Sequence, residues 1–176
     1  MHYKTIVFTK TIVDEEELEI ILMPFDELEE HDVEPPFTFD WWQIGGRYCG
    51  DVLAEVSTID EQNDGIYIKN INGVEILSML FDRMENEGCL GCETNWYGYL
   101  LENRALKCDG AYVNKIKNKN AFDCFAFIGL DGTGRARKSW DGSEYIDDKE
   151  FDYWLDKEIK KAKEQNAFMT VIDIHN

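Results

Sequence analysis

Along the chain the apolar positions change period several times, and each change marks an element. Tyr3–Lys10 alternates and is rich in Ile, Val, Phe and Thr, the pattern of a strand. From Asp14 the period lengthens, and Leu18, Ile21 and Leu22 recur at i, i+3 and i+4, predicting a helix with one apolar stripe. Asp14 is placed to cap it, with Glu17 three residues on to complete a capping box. Pro24 ends this helix or sits just past it, and residues 25–38 form an acidic loop closed by Pro35-Pro36. Val52–Val56 and Ile66–Ile71 read as short strands around the turn cluster Asp60–Gly65. Gly73–Asn86 reads as a helix, with Ile76, Leu77, Leu80 and Met84 on one face, followed by a loop over Glu87–Asn95. Trp96–Leu101 fits a strand and an aromatic turn equally well, and Gly110–Ile116 suits a short strand.

Phe122–Leu130 is a nearly continuous apolar run, predicting a buried strand that ends at the turn Asp131-Gly132. Arg135–Trp140 is placed to pair back on it as a hairpin. Asp147 or Asp148 is expected to cap a helix running to about Gln165, with Phe151, Trp154, Leu155 and Ile159 inward, and Phe168–Ile174 closes as a strand. Strands and helices mix without a regular βαβ repeat. The expectation is therefore an α+β fold in one domain, residues 1–176, with an antiparallel or mixed central sheet and about three helices packed mainly on one face. No apolar run approaches the roughly 20 residues that cross a bilayer. The opening M-H-Y-K-T-I-V-F-T-K lacks the apolar core of a signal peptide, so a soluble cytoplasmic protein is expected.

Charge changes the picture most. The net charge is −18, against a magnitude of about 2–8 for a comfortable small domain. Asp14 to Glu34 holds eleven acids and no Lys or Arg, whereas Arg104 to Lys119 holds five bases and one acid, Asp109. Such a face suits a basic protein surface and repels nucleic acid. A strongly solvated acidic helix, with no partner, accounts for the same composition.

Five cysteines, an odd count without an export signal, argue against a disulfide framework. Cys89 and Cys92 form C-L-G-C, half of a zinc knuckle that Cys108 and Cys124 are the candidates to complete. A second C-x-x-C is missing, as is a thioredoxin-like βαβ pattern, and Cys124 sits inside an apolar run. Inert reduced thiols, without metal or cofactor, are the expectation.

The stretch F-D-W-W-Q-I-G-G-R-Y-C-G at 39–50 carries the densest chemistry. Gly45-Gly46 permits positive φ or a close backbone approach. Consecutive amides there can make an anion nest to which Arg47 adds a bidentate contact. The strand–G-x-G-x-x-G–helix context of a dinucleotide site is missing. In the preferred reading the corner is architectural. Trp41 and Trp42 point to opposite sides, one into the core and one over an edge, while Asp40 pairs with Arg47 or hydrogen-bonds the turn. His2 and His175 lie near the two ends, and their rings meet if the first and last strands pair; alone they are too little for a metal site. Asp173 and His175 alternate with Ile172 and Ile174 and read as a solvent-facing polar pair. D-G-T-G-R-A-R-K-S-W at 131–140 reads as a basic hairpin tip balancing the acidic helices, with phosphate capture the alternative.

The order of these features resembles that of a family of uncharacterised phage and mobile-element proteins. Leu22–Phe25 matches its L-x-P-[FY] helix end, and Asp40–Gly50 its D-W-[WY]-x-I-G-G-R-[WY]-x-G signature. Phe125–Gly132 matches an F-A-[FV]-[IV]-x-x-D-G strand and turn, and Thr170–His175 a T-V-[IV]-D-x-H strand. The middle, about 51–120, matches poorly, and Ser139–Gly142 replaces an M-G-W-[FW]-G stretch. The resemblance implies a phage setting more than a mechanism. Joined to the charge, it implies a non-enzymatic, acidic inhibitor of a host defence protein, of anti-CRISPR type. Such an inhibitor blocks a nucleic-acid-binding surface by charge mimicry. The expected contacts are Glu15, Glu16, Glu19, Asp26, Glu27, Glu29, Glu30 and Asp32. The alternative is a small ligand-binding or hydrolytic module using Asp40, Gly45, Gly46 and Arg47 as an anion site, with Asp173 and His175 as further candidates. A structural or regulatory homo-oligomer is the third possibility.

Overall fold

A computed structural model describes residues 1–31, 34–55, 66–67, 69–71, 74–75, 105–140 and 144–176. Its centre is the antiparallel pair β1 (His2–Thr9) and β13 (Phe168–His175), in register from His2↔His175 to Thr9↔Phe168. On the outer side of β1 lies β9 (Ala126–Ile128), parallel to it, and then β10 (Gly134–Ala136), antiparallel to β9. On the other side of β13 the partner changes partway along. β8 (Gly110–Tyr112) pairs with Phe168–Thr170, and β2 (Trp41–Ile44) pairs with Ile172–His175. β4 (Ile66–Tyr67) continues outward from β8, completing a seven-stranded mixed sheet. Three two-stranded ladders flank it. They are β3 (Val52–Glu55) with β7 (Ala105–Cys108), β5 (Lys69–Ile71) with β6 (Val74–Glu75), and β11 (Lys138–Trp140) with β12 (Tyr145–Asp147).

Side chains alternate across a strand, so β1 and β13 feed two cores. Ile6, Phe8, Val171 and Met169 face Phe151, Leu155 and Ala162 of α2 (Phe151–Glu164), together with Val52, Ala54 and Phe127. Val7, Ile172 and Ile174 face Leu18 and Leu22 of α1 (Glu15–Leu22), together with Phe25, Phe37, Phe39 and Ile44. The fold is α+β, as expected, but its two described α-helices lie on opposite faces of the sheet. Those two do not share a face because Phe168–Ile174 is buried without interruption, and a strand apolar on both faces requires cover on both.

α1 is only eight residues long, too short to stand alone. Leu18 and Leu22 anchor it, each contributing about 1.5–3 kcal/mol of burial. The predicted capping box is present: Asp14 Oδ1 accepts the Glu17 N–H at 2.9 Å, and Glu17 Oε2 accepts the Asp14 N–H at 3.1 Å. Pro24 lies in the 3-10 turn Met23–Phe25 that follows. The cap of α2 differs from expectation, since Glu150 occupies the N-cap position without a side-chain cap bond. Asp148 is instead drawn to Arg135, at 2.8 Å, and accepts the Glu150 N–H. The run at 122–130 narrows to Ala126–Ile128, after a 3-10 turn at Lys119–Phe122; of the expected Arg135–Trp140 hairpin arm only Arg135 and Ala136, with Gly134, pair back on it as β10, and Lys138–Trp140 turns away to pair with β12. Val74–Glu75, expected to open a helix, is paired as β6; the rest of that expected helix, the turn Asp60–Gly65 and the ambiguous Trp96–Leu101 lie outside the described residues. No helix among the described residues is long and apolar enough to cross a membrane.

Candidate functional site

Where β13 changes partner, at Val171, the Gly45–Gly50 corner fills the gap. Gly45 donates its N–H to Val171 O at 2.9 Å, and the Val171 N–H goes to Asp109 O at 2.7 Å. Gly45 and Gly46 take φ of 68° and 52°. Two buried carboxylates grip the turn. Asp173 Oδ2 accepts the Arg47 N–H at 3.0 Å, and Asp109 Oδ1 accepts the Gly50 N–H at 2.8 Å. The contacts are so close that a Cβ on Gly45 would lie 2.6 Å from Asp109 Oδ1, and one on Gly46 2.4 Å from Asp173 Cβ. The double glycine is thus required by conformation and by contact together.

This geometry bears on the anion site expected at Gly45, Gly46 and Arg47. The N–H groups of Arg47 and Gly50 already serve carboxylates of the chain, and an incoming anion meets the negative charge of Asp109 and Asp173. Arg47 projects to solvent. Asp40 pairs with His175 Nδ1 at 2.8 Å instead of with Arg47, because β2 runs beside β13 and brings Asp40 to the His175 end. The tryptophans separate as expected: Trp42 packs on the α1-side core, whereas Trp41 is exposed beside His2.

Asp173 is not the solvent-facing residue its alternation suggested; it is 1% exposed. Burial is tolerated because His2 Nδ1 lies 3.0 Å from both of its oxygens and the Arg47 amide supplies a further donor. Lys4, opposite Asp173 in the ladder, is also buried and reaches Asp51 at 3.0 Å and the Asn120 carbonyl at 3.2 Å. Tyr48 donates its hydroxyl to the His2 carbonyl at 3.3 Å; burial first, then the negative charge of Asp173, push its phenol above the ordinary range. Asp109 escaped the sequence reading as a site residue. The available signal was its isolation as the one acid in a basic stretch, immediately before a glycine.

The acidic segment forms a second feature. Glu15, Glu16, Glu19, Glu27, Glu29 and Glu30 are exposed, Asp26 is half-buried, and Asp32 lies outside the described residues. Asp26 is partly structural, accepting the Leu28 N–H at 2.9 Å through its side chain and His31 Nε2 at 2.9 Å through its carbonyl. Large apolar side chains stand open among these acids: Ile20, Met23 and Leu28, the last 84% exposed. A groove of about 520 Å³ borders them, lined in part by Tyr3, Glu27, Glu34, Pro35 and Phe125.

The bases at 131–140 are engaged chiefly by acids outside this segment. Arg135 pairs with Asp148 at 2.8 Å and lies over Trp154; Arg137 pairs with Asp152 at 2.8 Å and lies over Phe151; Lys138 pairs with Asp147 at 3.3 Å. The two arginines hold the hairpin to the start of α2, whereas Lys138, paired within the β11–β12 ladder, also lines the groove that Glu27 and Glu34 share. Cys108 and Cys124 are buried, with burial pushing Cys108 well up and Cys124 to about 12, and Cys49 is exposed. Cys89 and Cys92 lie outside the described residues, and among those described no group of three or more His, Cys, Asp or Glu is arranged to hold a metal.

These features define a mixed α+β protein with a carboxylate-gripped glycine corner and a separate acidic face. Comparison with protein-family models, with curated proteins and with solved structures found no match.

Proposed function

We propose that the chain is a non-enzymatic inhibitor that binds a basic, nucleic-acid-handling surface of another protein through its Asp14–Glu34 segment. The phage resemblance makes a host defence protein, such as a CRISPR effector, the target class. The observation that carries this reading is the interleaving of exposed Glu16, Glu19, Glu27, Glu29 and Glu30 with exposed Ile20, Met23 and Leu28. Solvated charge alone keeps a protein soluble and gains nothing from open apolar side chains. A partner interface uses both, the charges for steering and register and the apolar groups for burial.

The test is capture of a binding protein from bacterial lysate by wild-type chain and by the variant Glu16→Lys, Glu19→Lys, Glu29→Lys, Glu30→Lys. The expected result is a partner held at low salt, released at high salt and displaced by duplex nucleic acid, and not held by the variant. Equal capture by the variant, with its circular dichroism unchanged, defeats the reading.

A further inference from the structure

We propose that His2 and His175 form a two-imidazole site for a late first-row divalent cation such as Zn2+, Cu2+ or Ni2+. The two residues face each other across β1 and β13. Met1 and Asn176, next along, exchange both of their backbone hydrogen bonds, so His2 and His175 occupy the closer, non-hydrogen-bonded position of the ladder. Each ring is oriented by a carboxylate through Nδ1: His2 by Asp173 at 3.0 Å, His175 by Asp40 at 2.8 Å. That arrangement orients both rings through Nδ1 and leaves both Nε2 atoms open as ligands, as in carboxylate–histidine–metal triads.

The spacing agrees with a shared ion. With metal–nitrogen bonds of about 2.0–2.1 Å and the ring centre roughly 1.1 Å farther on, two imidazoles at a tetrahedral angle have centroids about 5.2 Å apart. The His2 and His175 centroids are 5.1 Å apart, with the ring planes at 67°. Trp41, directly opposite His175 on β2, walls the pair, its ring 6.1 Å from that of His2. Imidazole favours Zn2+, Cu2+ and Ni2+ over the oxygen-seeking Mg2+ and Ca2+. A chain of charge −18 concentrates cations at its surface. The remaining coordination positions fall to water.

Calorimetry with ZnCl2 and visible absorption with CoCl2 test the site on the full chain. One equivalent binds, and Co2+ gives the intense bands of a tetrahedral ion. His175→Gln lowers affinity at least tenfold, and Asp40→Asn, at an exposed position, lowers it about 10–100-fold by freeing the ring it orients. In the wild-type protein Zn2+ shifts the imidazole NMR signals of His2 and His175 and leaves those of His31 in place. Unchanged affinity in folded His175→Gln marks chelation by His2 and the chain's own amino group, or by scattered carboxylates, and overturns the proposal. So do shifts confined to one histidine, or no binding at all; these readouts need no variant to fold.

Discussion

Asp173 and Gly46 are in direct contact across the β2–β13 boundary, the aspartate Cβ lying 2.4 Å from where a Cβ at position 46 would stand. Gly46→Ala therefore meets both a positive φ and a clash with a buried, hydrogen-bonded side chain. It is expected to cost about 2–5 kcal/mol in urea unfolding. Gly132 has φ of 81° and open space around it, so Gly132→Ala carries only the conformational cost of about 1–2 kcal/mol. Equal losses at the two positions would show that contact with Asp173 contributes nothing.

Asp109 tests the grip on the other side of the corner. Asp109→Ala removes the acceptor of the half-buried Gly50 N–H and is expected to destabilise by about 1–3 kcal/mol. The same unfolding measurement checks it, and a change under 0.5 kcal/mol contradicts the arrangement.

The like charges crowded on α1 predict a salt response of unusual sign for a surface feature. Glu15 and Glu19 stand at i, i+4 on α1, and Glu16 and Glu19 at i, i+3; like charges at these spacings cost a few tenths of a kcal/mol each. Raising ionic strength from about 10 to 150 mM shortens the screening length to about 8 Å and is expected to raise Tm. Glu19→Lys should raise Tm at low salt and reduce the gain from added NaCl, as read by differential scanning calorimetry.

Thiol chemistry separates the described cysteines. Cys49 is exposed, whereas Cys108 and Cys124 are enclosed, with Cys124 held at about 12. Iodoacetamide at pH 8 is expected to label Cys49 within minutes and the other two only after unfolding. Peptide mass spectrometry, cysteine by cysteine, reads the result.

Asp131 supplies a pH signature. The Thr133 N–H, at 3.0 Å, holds its carboxyl below the usual carboxylate range. A carboxyl depressed in the folded state stabilises above its unfolded value and loses that contribution as pH falls through the folded value. Carbon-detected NMR titration is expected to place Asp131 below an unstructured Asp, and Asp131→Asn to flatten the acid side of the stability curve.

Much of the fold was legible because its signals are local. The β-branched and aromatic composition of the first strand, the Asp14–Glu17 box and the stripe Leu18, Ile21, Leu22 each depend on residues within a turn or two of one another. Gly45-Gly46 could be read as a corner for the same reason, since the glycines declare a backbone conformation. Pairing of His2 with His175 was legible only as a conditional, the condition being a contact between strands at opposite ends of the sequence.

The sequence by itself determined the α+β class, the first helix with its cap, the concentration of acid at Asp14–Glu34 and the need for glycine at the corner, because propensity, period and charge are properties of neighbours along the chain. Only the tertiary structure decided that the helices lie on opposite faces, that Asp109 and Asp173 are buried beneath the corner, that Asp40 meets His175, and that the bases of the hairpin are engaged by α2. Those outcomes depend on which surfaces remain to be covered once β1 and β13 have paired. That is a question of three-dimensional packing and desolvation, to which no short window of residues is sensitive.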